Sequence, residues 1–145
     1  MTYKNILVAV DGSIESMIAF KRAVQVAINN VGSWLYIIHV IDTRSLAFSE
    51  GYNFDLADRY SKSKKDMLEG YEEVAVKLGF DRTYKIMEYG TPKHIIARDI
   101  PKQKQIDLII CGATGKGDVA RFFLGSVSEA IVRTAKCDVL VVRNQ

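Results

Sequence analysis

Apolar positions along the chain follow two alternating rhythms. The first is a short continuous run. "KNILVAV" at 4–10 is rich in β-branched residues, and "SWLYIIHVI" at 33–41, "DLIIC" at 107–111 and "CDVLVVR" at 137–143 repeat the form. "TYKIMEY" at 83–89 is a more polar version. Runs of this length and composition predict strands. The second rhythm sets apolar residues three and four apart. Met17, Ile18, Phe20, Ala23, Val24, Ala27 and Ile28 do so within 14–30, and Met67, Leu68, Tyr71, Val74, Ala75 and Leu78 within 57–78. Both patterns predict amphipathic helices. "TPKHIIARDI" opens a third helix, with Thr91 as N-cap and Pro92 at the first helical position. Residues 126–135 form a fourth, and 42–56 is polar and irregular.

The order is therefore βαβαβαβαβ. Near-continuous apolar strands separated by helices predict an α/β fold, a doubly wound five-stranded parallel sheet with helices on both faces. Its last strand, near the C-terminus, is expected at a sheet edge, where an apolar strand invites pairing with another chain. No internal repeat, low-complexity tract or linker interrupts the pattern, so residues 1–145 read as one domain.

Composition changes this picture little. The 145 residues are 48% hydrophobic and 26% charged, within the range of globular proteins. No apolar run approaches the roughly 18–20 residues that a membrane span needs. The net charge of +3 is mild, and the basic residues are scattered. The densest run, "SKSKK" at 61–65, reads as a solvated helix face, so no nucleic-acid partner is expected. Cys111 ends one strand and Cys137 begins the next, about 15–20 Å away if the strands are parallel neighbours, too far for a disulfide. The first apolar run passes directly into "DGS", without a separate signal-peptide core or cleavage site. Together these features predict a cytoplasmic protein.

Ligands of doubly wound sheets bind beyond the carboxyl ends of the strands. "DGS" (11–13) follows the first strand, Asp42 the second, "YGTP" the third, and "CGATGKGDVARFFLGS" (111–126) the fourth. This last stretch holds four of the ten glycines. A P-loop is excluded, because Gly117 follows Gly115-Lys116 and no glycine lies five residues before Gly115. A dinucleotide fingerprint can be forced onto Gly115, Gly117 and Ala120, but that motif belongs in the first βαβ unit. A receiver domain would want a second acid after the first strand and a lysine after the fifth, and both are missing. The remaining reading joins Gly112-x-x-Gly115 to Gly125-Ser126 across nine residues. The first pair lets backbone approach phosphates closely, and the second opens a helix whose N–H groups attract anions.

G-x2-G-x9-G-[ST] is similar to the nucleotide signature of the ATP-binding universal stress proteins. The resemblance extends over nearly the whole chain, through "KNILVAVDGS", "HVID", "YGTPKHII", "IDLIICGATGKG" and "LGSVSEAIVRTAKCDVLVVR". It implies strand order 3-2-1-4-5, with ATP, or ADP or AMP, across the ends of the first and fourth strands. It implies Asp11 at the ribose, Ala9 and Val10 beside the adenine, Val40 against the base, and Gly112, Gly115, Gly125, Ser126 and Val127 around the phosphates. Lys116 lies close by, and Ser13 and Ser128 join the expected set. It further implies a regulatory module with slow hydrolysis at most, and a homodimer through strand 138–143. Its protein partner is unknown.

Plainer roles compete at several positions. Asp11 or Ser13 can cap the first helix. Ser126 with Glu129 has the spacing of a capping box, which would occupy the serine hydroxyl. Lys116 reads equally as a solvated loop lysine. His39 is expected as a core residue and Cys111 as packing at the pocket floor. Asp42 reads as a solvated strand-end acid, with a share in Mg²⁺ binding as the alternative. A protein-interaction module that uses no nucleotide and a true ATPase remain the competing functions.

Overall fold

The structure is a computed structural model, and it describes residues 2–44, 54–114 and 124–144. The chain runs β1 (Asn5–Ala9), α1 (Ile14–Asn29), β2 (Trp34–Asp42), α2 (Phe54–Lys77), β3 (Thr83–Gly90) and α3 (Pro92–His94). A π-helical turn (Ile95–Asp99), α4 (Ile100–Lys104), β4 (Leu108–Gly112), α5 (Ser126–Thr134) and β5 (Asp138–Val142) complete it. The strands form one parallel sheet in the order β3-β2-β1-β4-β5. This is the doubly wound α/β architecture that the alternating pattern predicts.

β1 is central, with two strands on either side: Leu7 stands opposite Tyr36 of β2 and Ile109 of β4. Ile6, Leu7 and Val8 are fully buried. Burying side chains of this size stabilises the fold by about 1.5–3 kcal/mol each. Their alternation feeds two cores. Ile6 and Val8 pack with Phe20, Ala23 and Val24 of α1 and with Leu68, Tyr71 and Ala75 of α2. Leu7 packs with Ile38 and Ile109, and with Ile96, Ile100 and Ile131 from the helices on the other face. β3, an edge strand, is half-exposed along its length, which accounts for its more polar sequence.

The third helix differs from a single regular element. Thr91 stands at the N-cap and Pro92 at the start, as expected, but the threonine side chain makes no cap hydrogen bond. Pro101 brings no N–H to the helix interior, and its ring crowds the preceding turn. The segment widens just before it into the π-turn, where the Ile100 N–H reaches the Ile95 carbonyl. At the start of helix α1 the structure decides between the two candidate caps. The Ser13 hydroxyl accepts the Ser16 N–H at 3.0 Å, so Ser13, not Asp11, is its N-cap. Gly12 before it has φ of +84°, and a Cβ there would lie 3.0 Å from Met67 Sδ of α2.

Both cysteines are free. Cys111 packs in the second core at 4% exposure, and burial pushes its thiol from 9.0 up to about 12. In the unfolded chain the thiol ionises near its ordinary value, so above that pH the folded state holds more protons. Its contribution is therefore complete below about pH 9 and falls by about 1.4 kcal/mol per pH unit until about pH 12. Urea unfolding of the native chain and Cys111→Ala should show their stability gap closing as pH rises from about 8 to 11. A constant gap refutes this. Gly12→Ala should cost about 1–2 kcal/mol from its backbone strain and contact with Met67. Gly32→Ala, at φ +87° with no atom within 4 Å, should cost less, and urea midpoints of the two compare them directly.

Candidate functional site

The carboxyl ends of β1, β2 and β4 open into a cleft of about 710 Å³. Ala9, Val10 and Asp11 form one side of its floor, Val40 and His39 another, and Cys111 and Gly112 a third. Gly125, Ser126, Val127 and Ser128 close the far wall from α5. The structure thus brings together nine of the twelve residues expected to contact nucleotide. Ser13 is committed to capping α1 and does not line the cleft. Gly115 and Lys116, with Gly117, Phe122 and Phe123, lie outside the described residues.

The wall from α5 is built by hydrogen bonds to the end of β4. The Gly125 N–H donates to the Ala113 carbonyl at 2.8 Å, and Ser128 Oγ donates to the same carbonyl at 2.7 Å. Ser128 Oγ is also 3.1 Å from the Gly125 carbonyl. Gly125 is the N-cap, with extended backbone and no side-chain cap. The capping box suggested by Ser126 and Glu129 does not form. Ser126 is one position too late to cap, and Glu129 pairs with Arg133 at 2.8 Å. Among the described residues, the N–H groups of Ser126, Val127 and Ser128 therefore have no acceptor. These are the orphan donors of a first helical turn, at the positive end of its dipole. Ser126 itself is exposed.

Gly112 has a packing reason of its own. A Cβ there would lie 3.2 Å from the Thr114 carbonyl oxygen and 3.4 Å from that of Glu15, so β4 ends tightly against the first turn of α1. On the opposite side, the Asp11 carboxylate accepts the Ser13 N–H at 2.9 Å and closes the turn after β1. His39 is buried, and its Nδ1 lies 2.8 Å from the Val10 carbonyl. A carbonyl can only accept, so this nitrogen carries a proton and ties β2 to the end of β1. His39 is a core residue as expected, and one that also faces the cleft.

Asp42 lines the cleft but is engaged by Arg44, whose Nε and Nη2 lie 3.2 and 3.0 Å from its two oxygens. These hydrogen bonds hold its carboxyl below the usual carboxylate range. Among the described residues, no group of three or more His, Cys, Asp or Glu side chains is placed to hold a metal.

Two further lining residues, Tyr60 and Lys64, come from α2. Lys64 Nζ lies 5.1 Å from the Tyr60 ring centroid. Charge density alone had placed this segment on a solvated face. The missed signal is spacing: Tyr60, Lys64, Met67 and Tyr71 follow one another at helical intervals and share a face with the buried stripe.

The chain matches known proteins over nearly its whole length. A sequence model described as "Universal stress protein family" matches residues 2–143. A protein of Staphylococcus haemolyticus assigned to the universal stress proteins is 45% identical over 145 residues, covering 100% of this chain and 87% of that one. The structure of a universal stress protein from Lactobacillus plantarum superposes with a TM-score of 0.84 at 30% identity, over 99% of each chain. Two more distant structures share the fold. One, a universal stress protein in complex with cAMP, is 24% identical with a TM-score of 0.73 over 99% of this chain and 98% of that one. The other, from Archaeoglobus fulgidus in complex with dAMP, is 22% identical with a TM-score of 0.69 over 97% and 98%. With a match that runs almost from end to end, this chain belongs to the universal stress protein family.

Proposed function

We infer that the cleft holds an adenine nucleotide, ATP before ADP or AMP, and that the protein is a nucleotide-binding regulatory module. The observation that carries this reading is the start of α5. Three N–H groups that meet no acceptor and no side-chain cap among the described residues open onto the same cleft as Asp11 and Val40. Such a helix start favours phosphate. Asp11, across the floor, suits a ribose hydroxyl, and Ala9, Val10 and Val40 offer an apolar surface to a base. The volume lies within the usual range of small-molecule sites. Relatives of the same fold complexed with cAMP and dAMP support the adenine class. Mg²⁺ would enter as a counterion of the phosphates.

The site is built for holding more than for turnover. Fast hydrolysis needs a group that orients water and a cation that stabilises the departing phosphate. Asp42 is tied to Arg44, and His39 Nδ1 to a backbone carbonyl. We place the module in the cytoplasm. We assign self-association to β5, the terminal strand of the sheet, with half-buried Val139, Leu140 and Val141.

ATP at about 100 times its Kd should raise stability by about 2.7 kcal/mol, read as an increase in Tm. Ser126→Pro removes one of the three N–H groups at a position where proline suits a helix. Gly125 before it, at φ −65° and ψ 165°, already has the backbone that a following proline demands. The variant should therefore keep its unliganded Tm within a few degrees and lose most of the ATP-induced rise, whereas Ser126→Ala keeps it. An unchanged Tm for the native chain at millimolar ATP refutes nucleotide binding. Sedimentation at tens of micromolar should give a dimer, and a monomer there removes the role of β5.

A further inference from the structure

Tyr71 of α2 is 3% exposed, with its ring edge-on to Phe20 at 5.0 Å. Its hydroxyl reaches the turn after β1. The Gly12 N–H donates to it at 3.1 Å, and it lies 2.7 Å from Ser16 Oγ. Ser16 Oγ in turn accepts the Asp11 N–H and donates to the Ser13 carbonyl, each at 3.2 Å. A hydroxyl has one proton and two acceptor sites, so Ser16 is saturated only if the Tyr71 proton points at it. Every bond in the chain then has one direction. Burial pushes the Tyr71 phenol above its ordinary value, so that proton is present at neutral pH. One helical turn earlier, Met67 closes on Gly12 from the same side. Further along this face, Lys64 and Tyr60 line the cleft.

We propose that Tyr71 is a positioning residue: its hydroxyl holds the 11–13 turn in the shape that presents Asp11, and locks that shape to the cleft-lining face of α2. The turn is short, Gly12 is exposed, and its backbone lies in the left-handed region, so beyond the Met67 contact it has little packing of its own. A fully satisfied network in a buried setting supplies the missing rigidity. The consequence for a ligand rests on the nucleotide reading above. The hold on the turn does not.

Tyr71→Phe keeps the ring against Phe20 and removes only the hydroxyl. In the unliganded protein, amide hydrogen exchange at Asp11 and Gly12 should accelerate about tenfold, while β4 and α5 stay unchanged. By calorimetry, affinity for ATP should fall about tenfold, while inorganic tripolyphosphate, which needs only the α5 wall, binds as before. Ser16→Ala breaks the same chain from its other end and should act alike, with the double variant little worse than either single one. Unchanged exchange at the turn overturns the proposal. So does faster exchange with equal ATP affinity, or an equal loss for ATP and tripolyphosphate, which marks general damage. If the native chain binds no ATP, the nucleotide reading falls, and exchange alone decides whether Tyr71 holds the turn.

Discussion

β1 is hydrogen-bonded to β2 on one side and β4 on the other, and much of the molecule depends on that double pairing. The chain winds outward from β1 to β2 and β3, then crosses back to lay β4 against β1's free side. Helices α1 and α2 pack on one face, and the segment from Pro92 to Lys104 with α5 on the other. Loops leaving β1 and β4 therefore diverge to opposite faces. The gap between them is the cleft, a topological consequence of winding a parallel sheet in two directions.

The two sides of that cleft are stabilised differently. The α5 side is held at the backbone of Ala113, by one N–H and one serine hydroxyl. Ala113 accepts from Gly125 and Ser128, and its own N–H donates to Val142 of β5. The helix can then leave its first three N–H groups without an acceptor among the described residues while its position is secured elsewhere. The β1 side is held by side-chain hydroxyls and a thioether from α2, around a glycine with positive φ. The first wall converges on the single peptide unit of Ala113, and the second runs through a chain of hydroxyls.

Much of this was legible in the chain alone. The strands and helices fall within a few residues of their predicted bounds because apolar periodicity directly reflects burial on one or two faces. Free cysteines and a more polar third strand follow from local chemistry, whereas the sequence leaves both Asp11 and Ser13 as caps and the structure chooses Ser13. The capping box at Ser126 is a local rule that lost. Backbone contacts with Ala113 place Gly125 at the N-cap, so the helix begins one residue earlier than a serine cap would allow.

The sequence by itself determined the elements, their order and the glycine and proline positions, because these depend on backbone torsions and on which faces are apolar. Only the tertiary structure decided which side chains share a space. Tyr71 and Ser16 are 55 positions apart, and Asp11 and Val127 more than twice that. No local periodicity encodes such distances. The sheet order sets them, by choosing which strand ends are neighbours and which helix face leans over them.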